Sequence, residues 1–271
     1  MLRADTIDRL GPGDHACVVF DDDESRGRAL TALVRAGVRD GHRILWFGDF
    51  EPEIDAGLPD RLRPGQLRTA TYVAGGVFDP EAAIDTWREE SARARAAGYR
   101  GLRAAGDMSW ASGPVPGADR VCWFEAQVNR FFAEGFAMAV CLYDRRLFSR
   151  AELTRVCWSH PATIGYDTDP SAVPLLRAVR TDDPPGIALH GEADLSNRRA
   201  LRTLVEHMAD DSPADDGPLT VDLSGLRFAD AAAIRILARA AASSAHRLRL
   251  VGPSRAIRRL LSRFGSAEAI R

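Results

Sequence analysis

Short apolar runs alternate with longer amphipathic segments along roughly the first 165 residues. The runs HACVVF (15–20) and HRILWFGD (42–49) flank a segment whose apolar residues recur at helical spacing and which stops at Gly41. A connection of this length allows the two flanking strands to run parallel, with the helix as the crossover. The chain therefore begins with a strand–helix–strand unit, which restricts it to folds with a parallel sheet.

The same alternation continues to about residue 161. A strand at 66–73 precedes a helix over 79–98, for which Asp79 is the predicted N-cap. A strand and a helix follow, and then FAMAVCLYD (136–144), an almost uninterrupted apolar run typical of a central strand covered on both faces. A short helix ends before Pro161. The sequence predicts a doubly wound, mostly parallel α/β domain.

A second pattern follows the turn-rich segment GYDTDPSAVPLL (165–176). It reads as a hairpin around DDPPG (182–186), followed by three helices that alternate with two strands. About 95 residues are enough for an independent core. We therefore predict a smaller second α/β domain. The first domain is expected to span residues 1–168 and the second residues 169–271.

Composition excludes several classes of function. The net charge is −2 and all 36 basic residues are Arg, so no cationic excess is available for nucleic acid. The N-terminus has no signal-peptide pattern, and no apolar run reaches the ~18 residues of a membrane span. The four cysteines are widely spaced, as expected for reduced thiols. We expect a cytoplasmic protein without nucleic-acid or membrane partners.

Three segments of the second unit follow one another in the order of a known family: IALHGEADLSNRRALRTLV (187–205), LTVDLSGLRFADAAAIRIL (219–237) and LRLVGPSRAIRRLLSRFG (248–265). They resemble the STAS domain of anti-sigma-factor antagonists and sulfate-transporter tails. The resemblance implies that this domain binds an anti-sigma factor or its kinase domain.

In regulatory members of that family, the turn after the central strand carries Asp, a phosphorylatable Ser or Thr, a small residue and Gly. The corresponding residues here are Asp230, Ala231, Ala232 and Ala233, and with Ile234 they form the docking turn that the resemblance implies. Ala231 cannot accept the roughly −1.5 to −2 charges of a phosphate. Either the domain binds constitutively or the switch lies elsewhere in the chain. The alternative is a scaffold or dimerisation unit, and a homodimer is left open.

Three segments of the first unit are also recognisable: GDHACVVFDDDE (13–24), GDMSW (106–110) and CLYDRRLFSRAELTRVCWSHP (141–161). They resemble the MEDS sensory domain, named after methanogen and methylotroph regulators. The resemblance implies a sensor of small apolar or hydrocarbon-derived compounds, fused here to a sigma-factor regulatory module.

The first strand opens with two residues that can bind ligands. His15 and Cys17 are two apart, so they share one face of the strand. They could line a ligand site, bind a metal or form a reactive thiolate, or simply pack in the core. Two ligands are too few for zinc unless Cys141, Cys157 or His160 joins them.

Polar residues follow two other strands at their carboxyl ends, where parallel α/β sheets bind ligands. Asp107 and Trp110 follow one strand, while Tyr143, Asp144 and Arg145 end another. We predict that they form one ligand pocket with the pair on the first strand, in which Trp110 offers an apolar face. The alternative is that Asp144 and Arg145 pair with each other or cap the following helix.

The architecture is similar to RecA-like and KaiC-like folds, but the phosphate site of those folds is missing. FDDDESRGRA (20–29) stands where a Gly-rich phosphate loop would lie, and the chain contains no Lys. No catalytic motif is present. We therefore predict a non-enzymatic signalling regulator without a cofactor or bound metal. The alternative is a metal- or redox-responsive or enzymatic protein that uses His15 and Cys17.

Overall fold

The computed structural model describes residues 4–48, 62–165, 176–208, 217–242 and 248–264. The first unit is built on a six-stranded sheet in which all described pairings are parallel. Its strands are β1 (His15–Phe20), β2 (Arg43–Phe47), β3 (Leu67–Ala70), β6 (Leu102–Asp107), β7 (Ala137–Asp144) and β8 (Ala162–Ile164). Their order across the sheet is β3-β2-β6-β7-β1-β8, so β1 lies next to β7.

Helices cover both faces of this sheet. They are α1 (Ala4–Arg9), α2 (Asp23–Asp40), α3 (Pro80–Ala96), α4 (Val121–Phe132) and α5 (Arg150–Cys157). A two-stranded antiparallel ribbon, β4 (Val73–Ala74) and β5 (Val77–Phe78), precedes α3. The side chains of β1 and β7 alternate between two apolar clusters, one shared with α1 and α2 and the other with α3, α4 and α5. The alternation sends His15 and Cys17 to the α4 side.

The second unit has a separate four-stranded sheet. Its elements are β9 (Leu176–Asp182), β10 (Pro185–Ala193), α6 (Arg198–Glu206), β11 (Thr220–Ala229), α7 (Ala231–Ala242), β12 (Arg249–Val251) and α8 (Arg255–Arg263). The strand order is β12-β11-β10-β9, with the β9–β10 hairpin antiparallel and the other pairs parallel. A continuous apolar core lies between this sheet and its helices.

These findings confirm the predicted doubly wound, mostly parallel α/β domain followed by a smaller α/β domain. Two predicted helix ends are also confirmed. Asp79 caps α3 through the amides of Glu81 and Ala82, and Gly41 ends α2 in the left-handed conformation (φ 68°) that glycine adopts without strain. The predicted boundary at 168/169 lies outside the described residues. No described helix is both long and apolar enough to cross a bilayer.

The two units contact each other directly. The guanidinium of Arg177, on β9, binds the buried carboxylate of Asp14 through Nε–Oδ1 at 2.7 Å and a second bond at 2.5 Å. The backbone amide of Arg180 donates to the carbonyl of Ala133, which follows α4. Bidentate pairing of a buried carboxylate fixes orientation as well as distance.

Candidate functional site

Four buried side chains from separate parts of the first unit converge between α4 and the sheet, a position called "behind α4" below. The ligand atoms of His15, Glu125, Cys141 and His160 all lie within 4.8 Å of one another. Glu125 Oε2 is the centre of the group, because it lies 3.3 Å from the Nε2 atoms of both histidines and 3.4 Å from Cys141 Sγ. Side chains of this kind are rarely buried together without a partner that balances their charge.

The parallel register explains why these residues meet. Cys17 pairs with Cys141, so His15, two residues earlier on β1, lies on the same face as Cys141. This face is covered by α4, which contributes Glu125, and His160 follows α5. Residues far apart in sequence are thus brought together by one strand pair and one helix.

Hydrogen bonds fix the orientation of His15 through Asn129, one turn after Glu125 on α4. The Asn129 Nδ2 group, which has two N–H donors, lies within hydrogen-bond distance of three backbone carbonyls, including that of Ser159 at 2.8 Å. Its Oδ1 must therefore be the acceptor for His15 Nδ1, at 2.8 Å. The proton of His15 sits on Nδ1, and the Nε2 lone pair points into the cluster when the ring is neutral.

His160 is held in the same manner. Its Nδ1 donates to the carbonyl oxygen of Val156 at 2.8 Å, because a carbonyl can only accept. Its Nε2 is fully buried and makes no hydrogen bond to any described atom, although Glu125 Oε2 is 3.3 Å away. A buried ring nitrogen is therefore directed at the centre of the cluster, where it faces the Glu125 carboxylate outside hydrogen-bond geometry.

The protonation of the cluster follows from its mutual contacts. Burial would raise the pKa of the Glu125 carboxyl, but the charge of His160 and the hydrogen bond with His15 bring that pKa below its usual value. Burial and the neighbouring His160 lower the pKa of His15. Burial would also lower the pKa of His160, yet the Glu125 carboxylate raises it. When no further cation is present, these opposed shifts favour an imidazolium–carboxylate pair between His160 and Glu125.

Tyr143 and Cys17, both predicted as ligand residues, lie beside this cluster. The Tyr143 hydroxyl donates to Glu125 Oε1 at 2.6 Å, which leaves Oε2 for the histidines. Cys17 Sγ lies 3.8 Å from the Sγ of the half-buried Cys157. The hydrogen bond from Cys17 lowers the pKa of the Cys157 thiol to about 6, while burial raises that of Cys17.

The other predicted ligand residues lie at the carboxyl end of the sheet, at or beyond the last residues of β6 and β7, and are not part of the cluster. Asp107 and Trp110 line a shallow cleft of about 120 Å³ with Tyr72 and Phe47. Asp107 is engaged by the backbone amide of Ser109 and lies 3.5 Å from Arg26 NH1. The structure thus does not bring the predicted ligand residues into one pocket: His15, Cys17 and Tyr143 lie in or beside the cluster, Asp107 and Trp110 line the cleft, and Asp144 and Arg145 line neither.

One alternative was that Asp144 and Arg145 pair with each other, but each has a different partner. The Asp144 carboxylate accepts from the guanidinium and the backbone amide of Arg146, and Arg145 lies 3.4 Å from Asp21. Burial would raise the pKa of Asp144, but the hydrogen bonds from Arg146 lower it. These residues link β7 to the acidic start of α2.

The turn after β11 in the second unit caps the helix that follows it. Asp230 Oδ1 accepts from the amides of Ala232 and Ala233, both at 2.8 Å, and the α7 helix begins at Ala231. Ala231 is exposed and Ala232 is half-buried, whereas Ala233 and Ile234 are fully buried in the core. Of the predicted docking turn, Ala233 and Ile234 therefore offer no side-chain surface, which corrects their assignment as contact residues.

Comparison with known proteins identifies both units. The family model "MEDS: MEthanogen/methylotroph, DcmR Sensory domain" matches residues 14–161, more than half of the chain. The chain belongs to the MEDS family. A second model, "Mlab, STAS domain", matches residues 176–270 in tandem, and a search of curated proteins finds no match. Both predicted resemblances are confirmed, and the pair of domains indicates a signalling or regulatory role.

The STAS domain exposes two large apolar side chains beside its capping turn. Leu195 is 51% exposed and Phe228 is 49% exposed, and both line a shallow depression with Asp230. The MEDS domain contributes Trp158 to the same depression. We refer to Leu195, Phe228, Asp230 and Ala231 as the docking face.

The residues around Trp158 join the two domains at the edge of this face. The Trp158 carbonyl accepts from the amides of Arg199 and Ala200, at 3.1 and 3.2 Å, at the start of α6. The guanidinium of Arg198 lies over the Trp158 ring, 3.9 Å from its centroid. Asn197 Nδ2 donates to the carbonyl of Pro161. The segment 158–161, which includes His160, is thus bonded to the STAS domain.

A larger cleft lies beside α5. It has a volume of about 730 Å³ and is bordered by the loop 111–119 and by apolar residues of α4 and α5. Arg155 of the MEDS domain and Arg199 of the STAS domain both line it. The sequence did not predict this cleft, because its walls come from the loop 111–119, from α4 and α5, and from Arg199, which only the fold brings together.

Proposed function

We propose that this protein is a cytoplasmic, non-enzymatic signalling regulator. In this proposal the MEDS domain senses a small ligand, and the STAS domain binds an anti-sigma factor or its kinase domain. The observation that carries it is the bonded contact between segment 158–161 and the start of α6, beside the docking face. A change of state in the sensor that moves this segment acts directly on the surface that binds the partner.

The docking face supports a protein partner. Exposed apolar side chains next to each other, with a polar rim, are typical of interaction surfaces. Leu195 and Phe228 provide the apolar part, and Asp230 provides the rim. Because Ala231 stands at the position of the phosphate acceptor, partner binding is not switched by phosphorylation there. Control then falls to the MEDS domain.

The small ligand has two candidate sites. The cleft of about 730 Å³ supports a ligand that touches both domains, since Arg155 and Arg199 line it together. The cleft at Asp107 and Trp110 has room for only a few heavy atoms. We favour the larger cleft, because a ligand with different affinity for two domain arrangements can shift their populations.

Partner binding is tested with purified kinase domains of the anti-sigma factors encoded by the same genome. Wild type and Phe228→Asp are compared by biolayer interferometry, with Phe264→Asp as the matched control. Phe264 is 43% exposed and lies just after α8. We expect Phe228→Asp to weaken binding by about 30-fold or more, as for a hot-spot residue. Equal affinity of wild type and Phe228→Asp, or no binding by wild type, would refute the proposal.

The alanine turn allows a second test with the same kinases and ATP. Wild type is expected to stay unmodified, whereas Ala231→Ser should become a substrate, since its exposed position at the first residue of α7 suits a hydroxyl. Ala231→Asp should weaken partner binding because it adds charge at the docking face. If Ala231→Asp binds as wild type does, the turn is not the interface.

A further inference from the structure

The cluster behind α4 has the donors, spacing and orientation of a metal centre. We propose that the MEDS domain binds one Zn²⁺ ion through His15 Nε2, Glu125 Oε2, Cys141 Sγ and His160 Nε2. The alternative built on His15 and Cys17 thus keeps the histidine but replaces the cysteine. The site does not depend on the proposed function, because an ion can bind there whatever the STAS domain contacts.

The spacing of the donor atoms matches a tetrahedron. With metal–ligand bonds of ~2.0–2.3 Å, neighbouring ligand atoms lie about 3.3–3.6 Å apart. The three distances from Glu125 Oε2, at 3.3, 3.3 and 3.4 Å, fall in this range. So does the distance of 3.3 Å between His15 Nε2 and Cys141 Sγ. The two remaining pairs, both with His160, lie within 4.8 Å, so a small movement of His160 completes the site.

Each ligand is held by a residue outside the cluster. Asn129 and the Val156 carbonyl keep the Nδ1 protons of the two histidines, so both Nε2 atoms are free to bind a metal. Tyr143 binds the second oxygen of Glu125. Partners of this kind orient ligands in metal sites and raise their basicity. The unpartnered Nε2 of His160 is the atom that a metal would satisfy.

The donor set and the burial select the ion. Nitrogen and sulfur donors disfavour Mg²⁺ and Ca²⁺, which prefer oxygen. A carboxylate and a thiolate balance the charge of a divalent ion, so the occupied site is neutral in a buried environment. Four protein ligands leave no open position, which is typical of structural rather than catalytic zinc.

The binding test uses the full chain, stripped with a chelator and titrated with Zn²⁺ against a chromophoric competitor. We expect one ion per chain, and an affinity about 100-fold weaker or worse in Cys141→Ser. Cys157→Ser is the matched control, because this thiol lies near the cluster but outside it, and it should bind as wild type does. Wild type that fails to bind zinc, prefers another metal, or loses nothing in Cys141→Ser overturns the assignment. Loss of binding in Cys157→Ser also overturns it.

Two further measurements guard against a misfolded variant. Co²⁺ bound to wild type should show the thiolate charge-transfer absorption that Cys141→Ser lacks, while far-ultraviolet circular dichroism stays unchanged. Tyr143→Phe keeps all four ligands and removes only a supporting hydrogen bond, so it should weaken zinc binding by ~10–100-fold. Unchanged affinity in Tyr143→Phe, together with a cobalt spectrum lacking the thiolate band, contradicts this geometry.

Because His160 lies in the segment bonded to α6, zinc should also tighten the domain contact; this extension rests on the proposed function. The amides of Arg199 and Ala200 donate to the Trp158 carbonyl, two residues before His160. Hydrogen exchange of peptides covering 197–206 should slow with zinc in wild type but not in Cys141→Ser, with peptides of α8 as the control. Equal exchange with zinc stoichiometrically bound refutes the coupling but leaves the site intact. Absence of zinc binding refutes the metal site but leaves the proposal of partner binding by the STAS domain unaffected.

Discussion

The interiors of the MEDS and STAS domains differ in how many ionisable side chains they contain. Behind α4 the MEDS domain buries two histidines and a glutamate, and elsewhere a fully covered arginine, Arg103. In the described part of the STAS domain, the only buried polar side chains are Asn197, Thr203 and Thr220. Burying ionisable groups costs free energy that an apolar core avoids. The MEDS domain thus has ionisable groups in its interior, whereas the described part of the STAS domain has an interior without them.

The largest effect is expected from Glu125→Gln, which keeps the shape and removes the charge. In zinc-free protein it removes one partner of the buried His160–Glu125 pair, at a cost of about 3–5 kcal/mol in free energy of unfolding. All five tryptophans precede residue 161, so tryptophan fluorescence in urea reports the MEDS domain and, through Trp158, its contact with the STAS domain. The exposed Glu134→Gln is the control, expected within about 0.5 kcal/mol of wild type. A comparably small loss for Glu125→Gln would mean that the buried pair is not formed.

An apolar change in the STAS domain should be nearly as costly but independent of metal. Leu223→Ala, at a fully buried position of β11, should lower the free energy of unfolding by about 2–5 kcal/mol because it leaves a cavity. Circular dichroism follows this unfolding with and without a chelator, and the loss should be the same in both. If the chelator changes it, the two interiors are not separate.

A smaller effect is expected at the contact between the domains. Arg177→Ala leaves the buried Asp14 without its bidentate partner and should cost about 2 kcal/mol. The unfolding followed by tryptophan fluorescence should then occur at lower urea than that of the STAS domain. Arg202→Ala on the exposed side of α6 is the control. Unchanged midpoints in Arg177→Ala would show that the domains unfold independently.

The smallest effect is expected at the docking face. Ala231→Ser places a hydroxyl on an exposed first residue of α7 and should change stability by less than about 0.5 kcal/mol. Thermal unfolding is the measurement, alongside the phosphorylation assay. A larger loss would mean that the alanines are required for folding rather than for the surface.

The sequence predicts the fold because its signals are local. Apolar runs gave the strands, and Asp79, Gly41 and Asp230 marked the helix ends through contacts within a few residues. The shared face of His15 and Cys17 followed from strand alternation alone. Fold and domain order could thus be predicted almost completely.

The composition of the cluster could not be predicted in the same way. Which residue of β7 faces His15 depends on the register between β1 and β7, which no local pattern determines. Glu125 did leave a signal, because it occupies a core-facing position in the apolar stripe of α4, between Phe124 and Val128. Arg145 pairs with Asp21, and Arg146, which binds Asp144, also reaches Asp23; both acidic partners lie more than 120 residues earlier in the chain, so no local pattern reveals these contacts.

The bonds of segment 158–161 also limit how freely these domains can be exchanged. Its carbonyls need an asparagine side chain and two free amides at the start of α6, and its tryptophan ring needs a cation above it. A chimera that joins this sensor to another effector would have to reproduce Asn197 and Arg198. Recombination between such proteins should therefore preserve these two positions together with the sensor, as if α6 began inside the MEDS domain.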